Sequence, residues 1–358
     1  MTRKIAGLLS AVMGLLIVGL LVTASALAQT PIQVYGAWHC SSDACSWASA
    51  PNMTTFDTDN RWLIDRNMNG TYQPSVNLVV LSFVNPVKLM NLTTDSTTTN
   101  GIPNGMTTAV VNYFESKGVR VAMSIGGISY TKDWDKALGS NPTQLGINAA
   151  NAAKQFNVGI EIDYEKSSNP NLTGLQSFVT AFRSVTPYDA TGANQAARLT
   201  LDIGDGDTYL TALANYASTN WLTTSAPVID YANAMVGSQH TSVSTLEGGW
   251  QQHVDGISGS VPPLAPAKLT GSLWLIGGQP NCDNFSNSDQ NTAASFVENL
   301  APAGAGTTTG MLGYMFWAAG CQGNGTGCTF PPNTCQNGMG GAATAFNIPI
   351  PMPALRQN

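Results

Sequence analysis

Apolar and polar positions along the chain form two alternating kinds of segment. Eight short runs rich in β-branched residues end in Gly, polar or aromatic residues, which is typical of strands. These runs are Ile32–Trp38, Asn77–Val84, Val119–Ile125, Val158–Asp163, Arg198–Ile203, Val228–Met235, Gly271–Gly277 and Met311–Trp317. Apolar residues recur at helical spacing between them. This spacing predicts helices over Met106–Ser116, Gly146–Phe156, Thr173–Val185, Thr208–Ala217 and Asn291–Leu300.

The order of these segments predicts an α/β fold. Strands that alternate with helices form a parallel sheet, and eight units spaced by roughly 40 residues suit a closed (β/α)8 barrel, the TIM barrel. A doubly wound open sheet is the alternative. We expect one barrel domain over residues 29–320. The residues after it are rich in Gly, Asn, Pro and Thr and predict a disulfide-pinned C-terminal extension over residues 321–358.

The N-terminus has the pattern of an export signal. A short basic start precedes the apolar run Ile5–Val22, and Ala26-Leu27-Ala28 reads as a cleavage site. We expect a signal peptide over residues 1–28, removed before Gln29; an uncleaved anchor is the alternative. The sequence thus predicts a secreted, extracellular protein without stable membrane association after cleavage.

Composition excludes two classes of protein. Hydrophobic residues make up 43% of the 358 residues and charged residues only 10%, so the chain is not of the disordered type. A net charge of −6 would repel phosphates, which argues against a nucleic-acid partner. We expect a monomer.

The six cysteines suit an oxidising compartment. Proximity along the chain favours a Cys40–Cys45 pair, with Cys282–Cys321 and Cys328–Cys335 as the simplest remainder. A zinc site is the competing interpretation, but there is no C-x-x-C pair and only His39 lies near a cysteine. We therefore expect neither a metal nor a cofactor.

The most informative run is Val158 to Glu165. Side chains alternate along a strand, so Glu161, Asp163 and Glu165 share one face, which points into the barrel. Three converging carboxylates are costly to keep ionised, and one of them should hold its proton near neutrality, as a general acid must. Glu165 comes last, at the carboxyl end of the strand, where barrel enzymes place their chemistry.

This run resembles the signature D-G-x-D-x-D-x-E of family 18 glycoside hydrolases, which include chitinases and endo-β-N-acetylglucosaminidases. Gly159, Asp163 and Glu165 match the signature, whereas Val158 and Glu161 replace its first two acids. The resemblance implies a (β/α)8 barrel with this run as the fourth strand.

Two further motifs support the resemblance. The family motif S-x-G-G on the third strand is matched at Ser124-Ile125-Gly126-Gly127, which implies that Ser124 and Gly126 lie at the substrate site. The run Gly313–Trp317 resembles the eighth strand, and Trp317 would form the floor of a sugar subsite. Trp38 also ends a strand, and its ring is a second candidate for sugar contact.

The resemblance implies a retaining, substrate-assisted mechanism. Glu165 would protonate the glycosidic oxygen and later activate water. Asp163 would support the acetamido group of the substrate, whose oxygen attacks its own anomeric carbon, and Glu161 would modulate Asp163. The implied substrate is chitin or a related GlcNAc-containing glycan with β-1,4 linkages.

The sixth strand departs from the family. The family has Met-x-Tyr-Asp there, but Met235 is followed by Val-Gly-Ser. Tyr231, Gln239 and His240 are candidates for the missing Tyr, and Met235 itself is expected at the substrate site. Asp202 ends the fifth strand and is also expected nearby.

Two other functions are compatible with the sequence. The first is a non-catalytic, chitinase-like lectin or inhibitor that has the same barrel. The second is a two-carboxylate glycosidase, in which Glu165 is paired with an acid on another strand.

Overall fold

The structure is a computed structural model. It describes residues 34–40, 45, 47–65, 69–72, 74, 76–223, 225–235, 242–274, 287–305 and 310–319. Within these ranges, eight strands form a barrel. They are β1 (Val34–Cys40), β2 (Leu78–Val84), β3 (Arg120–Gly126), β4 (Gly159–Asp163), β5 (Leu199–Gly204), β6 (Ala232–Met235), β7 (Leu269–Trp274) and β8 (Gly313–Ala319).

The sheet is parallel and closed. Each strand pairs with its neighbours in the chain, and β1 pairs with β8. The predicted (β/α)8 barrel is confirmed, and the open-sheet alternative is wrong because the first and last strands are bonded to each other.

Helices follow the strands. They are α1 (Met53–Ile64), α2 (Pro86–Met90), α3 (Thr108–Glu115), α4 (Thr131–Ser140), α5 (Pro142–Phe156), α6 (Leu172–Val185), α7 (Thr211–Asn220), α8 (Val243–Asp255) and α9 (Asn287–Asn299). In the part of the chain that the structure describes, no helix is both long and apolar enough to cross a membrane.

Capping residues fix where the helices around β4 begin and end. The Asn141 side chain accepts a hydrogen bond from the Gln144 amide, and Pro142 occupies the first turn, so α5 begins before the predicted Gly146. Asn157 ends α5 in the left-handed conformation and leads the chain into β4. Helices α5 and α6 pack closely at Gly146, which has no side chain. A Cβ at this position would overlap the carbonyl oxygen of Phe178.

Strand β6 is shorter than the predicted Val228–Met235. The amides of Val228 and Ile229 donate to the Trp221 carbonyl oxygen instead of joining the barrel ladder. The Asp230 carboxylate is occupied by Arg198 and by Arg183, the latter at 3.3 Å. The residues before Ala232 therefore form a buried ionic corner at the amino end of the barrel.

The barrel interior has an apolar layer beneath a polar one. The apolar layer consists of Val34, Trp38, Leu78, Val80, Ala122, Tyr231, Leu312 and Met315. The outward side chains of the strands, such as Ile160 and Ile162, belong to the larger core shared with the helices. Trp38 joins the apolar layer to the acids, because its indole nitrogen donates to Glu161.

The predicted disulfide Cys40–Cys45 is present. It links the carboxyl end of β1 to the next loop. The predicted signal peptide (1–28), the C-terminal extension (321–358) and the pairs Cys282–Cys321 and Cys328–Cys335 lie outside the described residues, so these interpretations stay predictions.

Candidate active site

The acids of the β4 run lie inside the barrel, as the alternation predicts. Glu161 and Asp163 point inward and are only 1% and 3% exposed. Strand β4 ends at Asp163, and Glu165 lies two residues beyond it, half-buried at the carboxyl end of the barrel. The three carboxyls thus form a line from the interior to the mouth of the barrel.

Glu161 is anchored by side chains from other strands. The indole nitrogen of Trp38 donates to its Oε1 at 2.8 Å, and Nδ2 of Asn233 donates to its Oε2 at 2.8 Å. The same Nδ2 donates to Oδ1 of Asp202 at 2.9 Å, and the Thr270 hydroxyl donates to Oδ1 of Asn233 at 2.6 Å. This polar network joins β1, β4, β5, β6 and β7 across the barrel.

Burial shifts the protonation of these acids. It raises the pKa of Glu161 to about 7, although the Trp38 and Ser124 side chains oppose the shift. Burial raises the pKa of Asp163 well above its usual value, and the charges of Glu165 and Glu161 add to this effect. The pKa of Asp202 is also raised well above the usual range, first by burial and then by the neighbouring acids. The interior therefore favours protonated carboxyls.

Two donors hold Glu165 in place. The Tyr209 hydroxyl donates to its Oε2 at 3.2 Å, and the main-chain amide of Ile128 also donates to its carboxylate. Burial raises the pKa of Glu165 above its usual value, and these two hydrogen bonds oppose the shift because they favour the charged form. Glu165 has the burial and the access that a proton donor needs.

The neighbours of Glu165 in the chain are both bound to one residue of α4. Asp135 accepts a hydrogen bond from the Tyr164 hydroxyl at 2.5 Å and from the Lys166 ammonium at 2.7 Å. The Asn171 amide at the start of α6 donates to the same Tyr164 oxygen. The segment that carries Glu165 is therefore fixed between α4 and α6, although it lies outside the strand.

The two glycines of the S-x-G-G motif allow β3 to approach β4 closely. Gly126 has φ +127°, and a Cβ there would overlap both the carbonyl oxygen of Asp163 and the indole nitrogen of Trp134. That nitrogen and the Gly127 amide each donate to the Asp163 carbonyl at 3.0 Å. At Gly127, with φ +84°, a Cβ would come within 2.9 Å of the Phe83 ring. The motif thus positions the end of β4.

Replacing Gly126 with Ala should destabilise the protein by on the order of 2–4 kcal/mol, since it combines overpacking with an unfavourable backbone conformation. Gly139→Ala is the matched control because Gly139 lies in α4 with no atom within 4 Å of an added Cβ, and it should stabilise the helix slightly. Urea denaturation measures both. Equal free energies of unfolding for Gly126→Ala and the wild type would contradict the packing explanation.

Aromatic side chains surround the site opposite Glu165. Trp317 is half-buried near the end of β8, and its ring stacks on Phe83 with 5.6 Å between ring centroids and 23° between planes. Trp38 lies beside it at 6.3 Å. Met235 ends β6 and packs with Trp317 on the inner apolar layer. Flat apolar surfaces of this kind suit the faces of sugar rings.

The structure brings together most of the predicted site residues. Glu161, Asp163, Glu165, Trp38, Ser124, Gly126, Met235 and Trp317 lie in the upper barrel or at its mouth. Tyr231 does not join them, because it precedes β6 and packs in the apolar layer at the amino end. Gln239 and His240 lie outside the described residues.

Within the described ranges, no group of three or more His, Cys, Asp or Glu side chains is arranged to hold a metal ion.

Sequence reasoning missed Phe83, Tyr209 and the Asn233–Thr270 pair. A signal for Asn233 existed, because it shares the inward face of its strand with Met235. The ring of Phe83 and the hydroxyl of Tyr209 lie at strand ends and in loops, where alternation no longer predicts direction.

Comparison with solved structures identifies the barrel type. A GH18 chitinase from Pseudoalteromonas aurantia aligns with a TM-score of 0.51 and 12% identity, over 80% of this chain and 94% of that chain. A chitinase from Bacteroides thetaiotaomicron aligns with a TM-score of 0.52 and 12% identity, over 88% of this chain and 96% of that chain. The barrel is the fold of these chitinases. No family model and no curated protein matches the sequence.

Proposed function

We propose that the protein is a glycoside hydrolase that cleaves β-1,4 linkages in chitin or related GlcNAc-containing glycans. The observation that carries the proposal is the position of Glu165. Its carboxyl lies at the mouth of the barrel, near Asp163 and held by the Tyr209 hydroxyl. The chitinase fold of the barrel and the aromatic surface around Trp317 support the same substrate class.

In the first chemical step, Glu165 gives its proton to the glycosidic oxygen. The bond between that oxygen and the anomeric carbon breaks while the acetamido oxygen of the same sugar bonds to the anomeric carbon, forming an oxazolinium ion. The raised pKa of Glu165 suits this step because the proton is retained at higher pH than in an exposed Glu.

In the second step, the ionised Glu165 accepts a proton from water. The water oxygen bonds to the anomeric carbon, the bond to the acetamido oxygen breaks, and the configuration is retained. The same carboxyl therefore serves first as acid and then as base.

Asp163 supports the acetamido group. Its Oδ1 is buried and has no hydrogen-bond partner among the described residues, so it is a free acceptor for the acetamido N–H. Glu161 lies below Asp163 and is fixed by Trp38 and Asn233. The charge of Glu161 raises the pKa of Asp163, so Glu161 affects the charge of that residue.

The test is cleavage of short GlcNAc oligomers beside glucose oligomers of equal length. We expect shorter products from the GlcNAc oligomers, released first as the β-anomer, and none from the glucose oligomers, because the nucleophile belongs to the N-acetyl group. Mass spectrometry identifies the products, and proton NMR identifies the anomer.

Two outcomes would contradict the proposal. Binding of GlcNAc oligomers without any cleavage would favour the lectin or inhibitor. Comparable cleavage of glucose oligomers would favour a two-carboxylate glycosidase, with Glu165 paired to another acid.

The proposed enzyme is secreted, monomeric and free in solution after removal of residues 1–28. The sequence of the first segment supports export. A polymeric, insoluble substrate such as chitin requires an enzyme outside the cell, so the two proposals agree.

A further inference from the structure

The Tyr209 hydroxyl reaches Glu165 from the loop between β5 and α7. It lies 3.2 Å from Oε2 of Glu165 and 3.4 Å from the main-chain oxygen of the same residue. Tyr209 is half-buried, and its own pKa is raised by burial and then by the charge of Glu165, so it remains a hydrogen-bond donor. None of the sequence motifs includes this residue.

The backbone around Tyr209 takes an unusual path. The next residue, Leu210, has φ 53° and ψ 26°, a left-handed conformation that a bulky residue rarely adopts. Leu210 directly precedes α7, and no side chain caps the start of that helix. At the end of β5, a Cβ on Gly204 would overlap the Tyr209 carbonyl oxygen. Such strain persists where surrounding contacts require it, and it clusters at functional sites.

Other charged groups surround Glu165. They are Asp163 and Glu161 on β4, Asp202 on β5, and Lys166, which is paired with Asp135 of α4. Of these groups, Asp163 is the acid whose charge interacts with that of Glu165, and it disfavours a charge on Glu165. The Lys166 ammonium is paired with Asp135 rather than with Glu165. Tyr209 and the Ile128 amide are therefore the donors that favour the Glu165 carboxylate.

We propose that Tyr209 is a positioning residue of the hydrolysis: its hydroxyl orients the Glu165 carboxyl and stabilises the carboxylate that forms after proton donation. The proposal rests on the proposed function of Glu165. A hydrogen bond to an ionised acceptor is stronger than one to a neutral acceptor, so the contact strengthens as the proton leaves. Glu165 therefore reaches its base form more easily.

The effect on protonation has a definite sign. Because the Tyr209 hydroxyl favours the charged form, its removal should raise the pKa of Glu165. Tyr209→Phe should move the Glu165 titration to higher pH by about one pH unit. It should also lower kcat on a GlcNAc oligomer by about 10–100-fold, because the carboxylate loses a donor.

The titration can be measured without any activity. The chain has only five Glu residues, so carboxyl ¹³C NMR of glutamate-labelled protein gives few signals, and the Glu165 signal is the one absent from Glu165→Gln. Tyr216→Phe is the matched control: Tyr216 is also half-buried, and its hydroxyl donates to Gln176 at 3.2 Å, away from Glu165. We expect a raised midpoint in Tyr209→Phe and the wild-type midpoint in Tyr216→Phe.

An unchanged or lowered Glu165 midpoint in a folded Tyr209→Phe protein would overturn the proposal. If the wild type cleaves GlcNAc oligomers, the alkaline limb of kcat/KM should move with the midpoint. A loss of kcat with an unmoved limb would assign Tyr209 a purely structural role and also overturn it. If the wild type cleaves nothing, the proposed function fails, while a raised midpoint would still establish the hydrogen bond.

Discussion

Replacing Glu165 with Gln should lower the cleavage of a GlcNAc oligomer by about 10²–10⁴-fold, the usual contribution of a positioned proton donor. Gln keeps the shape of the side chain, and its carbonyl oxygen can still accept from the Tyr209 hydroxyl and the Ile128 amide. It has no proton to transfer to the glycosidic oxygen. The loss should therefore fall on kcat, whereas binding of the oligomer should survive.

Steady-state kinetics and calorimetric titration separate these two quantities. Glu115→Gln is the matched control because Glu115 is also half-buried, has a pKa raised by burial, and ends α3 on the outer layer. It should leave kcat unchanged. Full activity of Glu165→Gln would remove Glu165 from the mechanism.

The barrel was predictable because the pattern of its strands is local. In β4, the buried Ile160 and Ile162 alternate with Glu161 and Asp163, so the sequence alone shows which side chains point inward. The same alternation explains why the predicted and observed strands agree to within a few residues at most positions. Where they differ, as before Ala232, the Val228 and Ile229 amides donate to the Trp221 carbonyl oxygen and not to a neighbouring strand.

The position of Glu165 follows from the fold and not from strand alternation. The strand ends two residues earlier, since the Asp163 carbonyl accepts from the Trp134 indole and the Gly127 amide. Beyond that point, the direction of Glu165 depends on Asp135, which binds the residues on either side of it. Asp135 is distant along the chain, and its spacing carries no signal of this contact.

The Tyr209 contact was not predictable either. Helical spacing predicts a helix that begins at Thr208, but α7 begins at Thr211 because Leu210 is left-handed. A Leu gives no indication of that conformation, whereas a Gly at the same position would have suggested a turn. The polar network around Asn233 depends in turn on the register of strands that only barrel closure defines.

Asp163→Asn should lower kcat on a GlcNAc oligomer by about 10²–10³-fold, by analogy with the loss of one preorganised electrostatic group. In the free site, burial and then the charges of Glu165 and Glu161 raise the pKa of Asp163 well above its usual value, so the neutral form is favoured more than in an exposed Asp. Asn resembles that form in shape, so the variant should fold normally. During the reaction, positive charge builds on the acetamido group and favours an ionised Asp163, and Asn cannot supply that charge.

The kinetic signature distinguishes this role from simple binding. KM should change little, because Asn can still contact the acetamido group, while kcat falls. Asp59→Asn on α1 is the control, since that acid is exposed on the outer layer and should leave both constants unchanged. If Asp163→Asn kept the wild-type kcat, the developing charge would have to be stabilised by Glu161 or Asp202. The buried network below Asp163, rather than Asp163 itself, would then carry the electrostatic part of catalysis.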